Sequence, residues 1–241
     1  MSFFGLRFGS NDDDSLFGGF GRDFIFGRGG NDDIGGGAGR DLLFGGSGND
    51  TVDGGRGRDF IDGGEGQDEL TGGKGRDTFF FGDNRLPEEA NTEGRDIVGG
   101  EDTITDFQQG RDTMLLDTDA FTVDGPFQFQ NALAEDLVDD GSNLIVLQNS
   151  DNDGNPATPF LAGTAAGLIA EQIDTSGAGF FVYFNSNLQL NRLVYSEDLS
   201  DATADLQIIN RLTDVTGEDA IAALETFSEG DFAFLDGLDL V

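Results

Sequence analysis

The sequence predicts a mainly β protein in which a coil of very short strands, two repeats to the turn, precedes a β-rich C-terminal part with one or two helices. Three observations carry this. A nine-residue unit recurs eight times without a gap over 9–80. Its first residue is always glycine and its sixth always aspartate, and its eighth is always apolar.

The first position is Gly9, Gly18, Gly27, Gly36, Gly45, Gly54, Gly63 and Gly72; the sixth is Asp14, Asp23, Asp32, Asp41, Asp50, Asp59, Asp68 and Asp77. The eighth runs Leu16, Ile25, Ile34, Leu43, Val52, Ile61, Leu70 and Phe79. Positions one to five are rich in glycine, which reaches positive φ without a Cβ clash, so they read as a tight turn. Positions seven to nine are too short for a helix but suffice for a minimal strand that buries its middle residue. One repeat cannot bury its apolar side chain alone, so the eight must stack.

Position five adds a second rhythm. It is Arg22, Arg40, Arg58 and Arg76 in even repeats but Asp13, Asn31, Asn49 and Gln67 in odd ones. A period of two repeats supports two repeats per turn and stacks the arginines in a ladder along one edge. The outward strand positions alternate too: Phe24, Phe26, Leu42, Phe44, Phe60 and Phe80 make the even face greasy, while the odd face is mostly polar. A contiguous apolar face marks a covered surface, so the even face is expected to pack on the C-terminal half or to self-associate with a second copy.

Two repeats per turn place the aspartates in two columns, at a strand spacing of roughly 4.8 Å. Neighbouring carboxylates then repel by about 1 kcal/mol in water and about 3 kcal/mol at an effective dielectric near 20. Six such contacts rival a typical domain stability of about 5–15 kcal/mol. A cation is required between them. Carboxylates with backbone carbonyls form an all-oxygen set that suits a hard ion, and flexible glycine turns favour calcium over magnesium. The chain has no histidine and no cysteine, which removes ordinary zinc, copper and iron sites. Several calcium ions are expected, up to about six in the repeats.

The repeats, for example 45–53 (Gly-Gly-Ser-Gly-Asn-Asp-Thr-Val-Asp), resemble the calcium-binding nonapeptide GGxGxDxUx of RTX (repeats-in-toxin) proteins. The resemblance implies a right-handed parallel β-roll with two short-stranded sheets, each ion held by aspartates and turn carbonyls of two stacked turns. The eight aspartates then become ligands. Glycines at positions two and four become carbonyl donors: Gly19, Gly21, Gly30, Gly37, Gly39, Gly46, Gly48, Gly55, Gly57, Gly64, Gly66, Gly73 and Gly75. The first repeat departs with Ser10 and Asp12 in glycine places, and the third with Arg28. After 82–100, an acidic loop with Pro87, residues 102–116 resemble the DxIxDFxxGxDxIxL segment that closes β-rolls in serralysin relatives. This makes Asp102, Asp106 and Asp112 weaker metal candidates, with a plain solvated edge as the alternative.

The 241 residues are expected to divide into 1–116, the calcium-binding roll with closing strands at 102–116, and 117–241, a β-rich C-terminal domain. Runs at 127–129, 144–147, 180–184, 193–195 and 206–208 read as an antiparallel layer. Thr216 to Asp219 reads as a cap before a helix over 220–227. Residues 149–154 imitate an EF-hand loop, but Phe160 stands where a bidentate Glu is needed, so a hairpin turn is expected. The run 183–195 looks like a C-terminal block of secreted hemolysin-type calcium-binding proteins. The acidic, apolar tail 231–241 is similar to the uncleaved signals read by type I secretion machinery, which RTX proteins typically use.

A net charge of −34 opposes nucleic acid and anionic membranes as partners. No apolar run is long enough for a membrane span, and residues 1–8 lack the basic and apolar regions of a signal peptide. Without histidine or cysteine, a Ser-His-Asp hydrolase, a thiol enzyme and a zinc peptidase are excluded. The expectation is a non-catalytic, secreted bacterial calcium-binding protein that folds after export. The rivals are a calcium-stabilised surface or adhesive protein meeting glycan or itself, and, third, a polysaccharide-active enzyme using C-terminal carboxylates.

Overall fold

The computed structural model describes residues 4–82, 101–117, 121, 123, 127–148, 162–186, 188–204, 206–216 and 218–235. The chain divides into two compact units, 1–86 with 99–117 and 230–241, and 87–98 with 118–229.

The first unit is a parallel β-roll. Its strands are β1 (Phe4–Phe8), β2 (Ser15–Gly29), β3 (Asp33–Gly39), β4 (Leu42–Ser47), β5 (Thr51–Asp53), β6 (Arg56–Gly57), β7 (Phe60–Glu65), β8 (Glu69–Thr71), β9 (Lys74–Gly75), β10 (Thr78–Phe81), β11 (Asp102–Ile104) and β12 (Thr113–Asp117). Every pairing among them is parallel, and within the repeats each residue pairs with the one 18 positions on. The odd sheet aligns Leu16, Ile34, Val52, Leu70 and Ile104. The even sheet aligns Ile25, Leu43, Ile61, Phe79 and Met114. From Ile25 onward these side chains are at most 1 % exposed. They are the two facing rows of the core, and each repeat contributes one residue, as the period demands.

The even outer face is lined by Phe8, Phe24, Phe26, Phe44, Phe60 and Phe80, whose rings contact one another along the stripe at centroid distances of 4.6–5.8 Å. These side chains cover each other: Phe24, Phe26, Phe44, Phe60 and Phe80 are half-buried.

The roll does not end at 116. A last strand, Phe232–Leu235, pairs in parallel with β12, placing Phe232 beside Met114 and Phe234 beside Leu116. Sequence reading assigned this stretch to the C-terminal domain, because no glycine code announces it. It joins the roll because alternate residues of an apolar strand continue the even core row.

In the second unit, β13 (Phe129–Ala132), β14 (Leu144–Leu147) and β15 (Gly179–Asn185) run parallel, followed by antiparallel β16 (Leu190–Ser196) and β17 (Leu206–Leu212). The expectation of an antiparallel layer throughout is therefore corrected. The connection from β14 to β15 carries a helix, α1 (Ala162–Ala170), and such a crossover joins parallel strands. β14 is buried along its whole length, as a strand covered on both faces should be. A second helix, α2, spans Glu218–Leu224, and the 183–195 block is the β15–β16 hairpin. The strand reached through β17 in chain order is Phe232–Leu235, hereafter β18. The 82–100 loop beyond Gly82 up to Gly100, the EF-hand-like turn at 149–154 and the tail from 236 lie outside the described residues. No helix among the described residues is long and apolar enough to cross a membrane.

Candidate metal centre

Each repeat aspartate except Asp23, which lies within β2, immediately precedes a strand, and the 18-residue register stacks the carboxylates in two columns. In the odd column the amide of Asp14 donates to Oδ1 of Asp32 at 2.8 Å, Asp32 to Asp50 at 2.7 Å, Asp50 to Asp68 at 2.8 Å and Asp68 to Asp102 at 3.1 Å. In the even column Asp23 donates to Asp41 at 2.8 Å, Asp41 to Asp59 at 2.9 Å, Asp59 to Asp77 at 3.0 Å and Asp77 to Asp112 at 3.1 Å. One oxygen of each carboxylate after the first in its column is thereby held. The other is not: Oδ2 of Asp23, Asp32, Asp41, Asp50, Asp59 and Asp77 is buried and has no hydrogen-bond donor among the described residues. A buried unsatisfied polar atom costs about 1–3 kcal/mol, and more when charged.

The glycines explain where these oxygens point. A Cβ on Gly36 would stand 2.8 Å from the carbonyl oxygen of Gly54 and 2.9 Å from Oδ2 of Asp41; on Gly54 it would stand 2.8 Å from that of Gly72 and 3.0 Å from Oδ2 of Asp59. Gly9, Gly18, Gly27 and Gly45 face the same pair of oxygens, a position-one carbonyl of the next turn and the Oδ2 of their own repeat. Six cradles result, each made of a carboxylate and a carbonyl oxygen around space a side chain would fill. Most glycines at positions two and four bend the turn through left-handed backbone, and several also pass close to a carbonyl of the preceding turn. Arg28 shows this, taking φ 82° where glycine stands in most repeats, so the third turn keeps its shape.

Among the described residues no point is surrounded by three or more acidic, histidine or cysteine side chains. Carboxylates alone therefore do not build a site here, and backbone carbonyls must complete one. Such an oxygen set fits calcium, which takes 6–8 oxygen ligands in flexible geometry. It does not suit zinc or copper.

Burial dominates the acidity of six column members. Desolvation, augmented by adjoining aspartates, pushes Asp50 and Asp77 up to about 6 and Asp59 up to about 7, and raises Asp32, Asp41 and Asp112. Asp14 is the exception, lowered by the amide and hydroxyl of Ser10, which donate to its Oδ2 at 2.6 and 2.8 Å.

That exception belongs to a pattern: side chains close the open ends of both columns. Ser10, at a glycine place of the first repeat, caps Asp14. Arg7 lies in register with Ile25, and its guanidinium reaches Oδ1 of Asp23 and the carbonyl of Gly18, both at 3.3 Å. It brings a fixed cation to the same two kinds of oxygen that form the cradles. At the far end, Asp106 accepts the amides of Gly72 and Gly73 at 2.8 and 2.7 Å, and Arg111 donates from Nε to the carbonyl of Gly75 at 2.7 Å. Arg7→Met is expected to lower the unfolding free energy of the calcium-loaded protein, read from its urea midpoint, by about 1 kcal/mol, a modest value because the pair is partly exposed. An unchanged midpoint would remove Arg7 from this role.

The structure thus brings all eight repeat aspartates into two columns and adds Asp102 and Asp112 as fifth rungs. Asp106 stands apart, both its oxygens taken by amides. Asp112 also accepts the amide of Gln108 at 3.0 Å. Of the expected carbonyl donors, those of Gly21, Gly39 and Gly57 accept amides of the next turn at 3.3 Å, and that of Gly55 accepts Lys74 at 2.7 Å. Sequence reasoning missed the position-one carbonyls, although glycine is invariant at position one and not at two or four. It also missed Arg111 as a rung, though 110–113 repeats Gly75-Arg76-Asp77-Thr78 letter for letter.

Two stacked columns of carboxylates on a parallel coil, six of them facing a carbonyl across a glycine, define a calcium-binding β-roll. Residues 8–43 and 44–79 match the family described as RTX calcium-binding nonapeptide repeat, four copies to a match. Among solved structures the chain is similar to the AlgE6R3 subunit of a mannuronan C5-epimerase from Azotobacter vinelandii, at 20 % identity and a TM-score of 0.36, over 93 % of this chain and 80 % of that one. It is equally similar to the AlgE6R2 subunit, at 20 % identity and a TM-score of 0.36, over 100 % of this chain and 96 % of that one. No curated protein matches the chain.

Proposed function

We propose that this chain is a secreted, non-catalytic module that folds on binding calcium after export. The observation that carries the reading is the row of buried Oδ2 atoms without donors, from Asp23 to Asp59 and Asp77. Bound calcium supplies positive charge and a high coordination number to oxygens of adjoining turns. The rest is done by the chain. Aspartates of successive turns repel one another when ionised, and the glycine turns leave room for carbonyls to converge on them. Five of the six cradles keep an orphaned Oδ2, that of Asp14 being taken by Ser10, which supports several ions.

The same repulsion keeps the repeats unfolded where calcium is scarce, the state suited to threading through a type I channel. Phe232–Leu235, within the signal-like tail, is a strand of the folded roll. A receptor that reads this tail therefore reads it from the unfolded chain. Outside the cell, calcium in the range of weak extracellular sites, roughly 10⁻⁴–10⁻³ M, folds it by mass action.

Titrating the metal-free chain with calcium, with magnesium as control, should give a cooperative gain of far-UV β signal with calcium alone. A chain already folded in chelator and indifferent to calcium would overturn the reading.

A further inference from the structure

The even edge of the roll carries a row of cations, of which only Arg111 helps to close a column, through the carbonyl of Gly75. Arg22, Arg40, Arg58 and Arg76 are exposed and in register, and Arg111 continues the row because Thr113 pairs with Thr78. Among the described residues, no carboxylate ion-pairs with Arg22, Arg40, Arg58 or Arg76, in a chain with 47 acidic residues and 13 basic ones. Stacked at a strand spacing of roughly 4.8 Å, neighbouring guanidinium groups repel by about 1 kcal/mol in water.

The odd edge shows the alternative. There the amide of Asn31 donates to Oδ1 of Asp13 at 2.7 Å, Asn49 to Asn31 at 2.8 Å and Gln67 to Asn49 at 2.9 Å. Position five can therefore hold a side-chain ladder that stabilises the turn. On the even edge arginine cannot accept, and the amides of Arg40, Arg58 and Arg76 make only 3.3 Å bonds to carbonyls. Half the repeats forgo a stabilising bond for a repulsive charge, which is what a binding surface requires.

The five arginines line a groove of about 560 Å³ with Asp41, Asp59 and Asp77, and with Leu42 and Phe60 among its wall residues. We propose that this groove binds a linear acidic polysaccharide bearing a carboxylate on each sugar, and that it does so only in the calcium-bound state; the second clause rests on the calcium reading above. A row of equivalent rungs selects a polymer with a regular anionic repeat over a single small anion. An arginine fork matches a carboxylate in two parallel hydrogen bonds. Leu42 and Phe60 offer apolar surface to sugar rings. Single-stranded nucleic acid is disfavoured because successive bases need aromatic platforms, and among the described residues Phe60 is the one aromatic side chain lining the groove. The aspartates of the groove repel a polyanion until a cation neutralises their column.

The test uses the full chain and a short end-labelled oligogalacturonate, too short to gel, followed by fluorescence anisotropy with and without calcium. Binding should require calcium and fall at least about tenfold in the R40Q/R58Q/R76Q variant, while the calcium midpoint of its β signal stays within about twofold. R40K/R58K/R76K, which keeps charge but not the fork, should fall between. The proposal is overturned by equal binding of the glutamine variant, by equal binding of a neutral oligosaccharide, or by stronger binding of oligothymidylate. Calcium-induced folding without oligogalacturonate binding sinks this proposal alone. Arginine-dependent binding by a chain already folded in chelator keeps the groove and sinks the calcium reading.

Discussion

Chelating calcium at about pH 8 should abolish the β-roll signal, and acidifying the chelated protein to about pH 5 should restore part of it. Mass action sets the scale of the first effect: each site held at 100 times its dissociation constant adds about 2.7 kcal/mol, so several sites together match a whole domain's stability of about 5–15 kcal/mol. The second effect follows from the direction of the carboxyl shifts. Burial holds Asp50 and Asp77 at about 6 and Asp59 at about 7, against 3.8 for an ordinary aspartate. A folded-state value above the unfolded one means the folded chain binds the proton more tightly. That contribution is complete below about pH 4 and is lost as pH rises through about 6 to 7. Protons thus stand in for metal in the columns, and the apparent calcium affinity should weaken over the same window. Far-UV circular dichroism at both pH values in chelator decides the matter, and equal structure at both would contradict it.

Gly45→Ala is expected to destabilise the calcium-loaded roll by about 3 kcal/mol or more, because the new methyl meets groups that cannot yield. The carbonyl of Gly63 and Oδ2 of Asp50 both lie where that Cβ would stand. The backbone carbonyl belongs to a residue within β7 and cannot swing aside, and Oδ1 of Asp50 is held by the amide of Asp32. The substitution therefore also removes one cradle, and equilibrium dialysis should count fewer ions per chain. Gly19→Ala is the control. It lies in an equally glycine-rich turn, but nothing stands within 4 Å of its Cβ and its φ is outside the left-handed region. A change within about 0.5 kcal/mol is expected there. Equal losses at the two positions would show that the glycines serve only the turn, not the oxygen cradle.

The periodic half was legible because a stacked coil forces each repeat to solve the same problem. One apolar residue per repeat must face the core, and one carboxylate must stand over the next. Period alone therefore places Ile61 in the core row and Asp59 in its column. Regularity also hid things. An invariant glycine reads as a flexible turn, whereas Gly36 and Gly54 are glycine for lack of space. The chain ends break the pattern, and Arg7 and Ser10 act only through neighbours that a repeat consensus does not contain.

By itself the sequence determined the coil, its two-repeat turn, the two aspartate columns and the demand for a hard cation, since all of these follow from residue type at fixed spacing. Tertiary structure decided what depends on residues far apart in the chain. It brought β18 back onto β12, ran β13 to β15 parallel through a helical crossover, and set Arg111 as the fifth rung beside Arg76. Period constrains neighbours one turn away; it does not constrain where a chain returns after 34 or 100 residues, because there the choice belongs to packing of apolar faces rather than to local spacing.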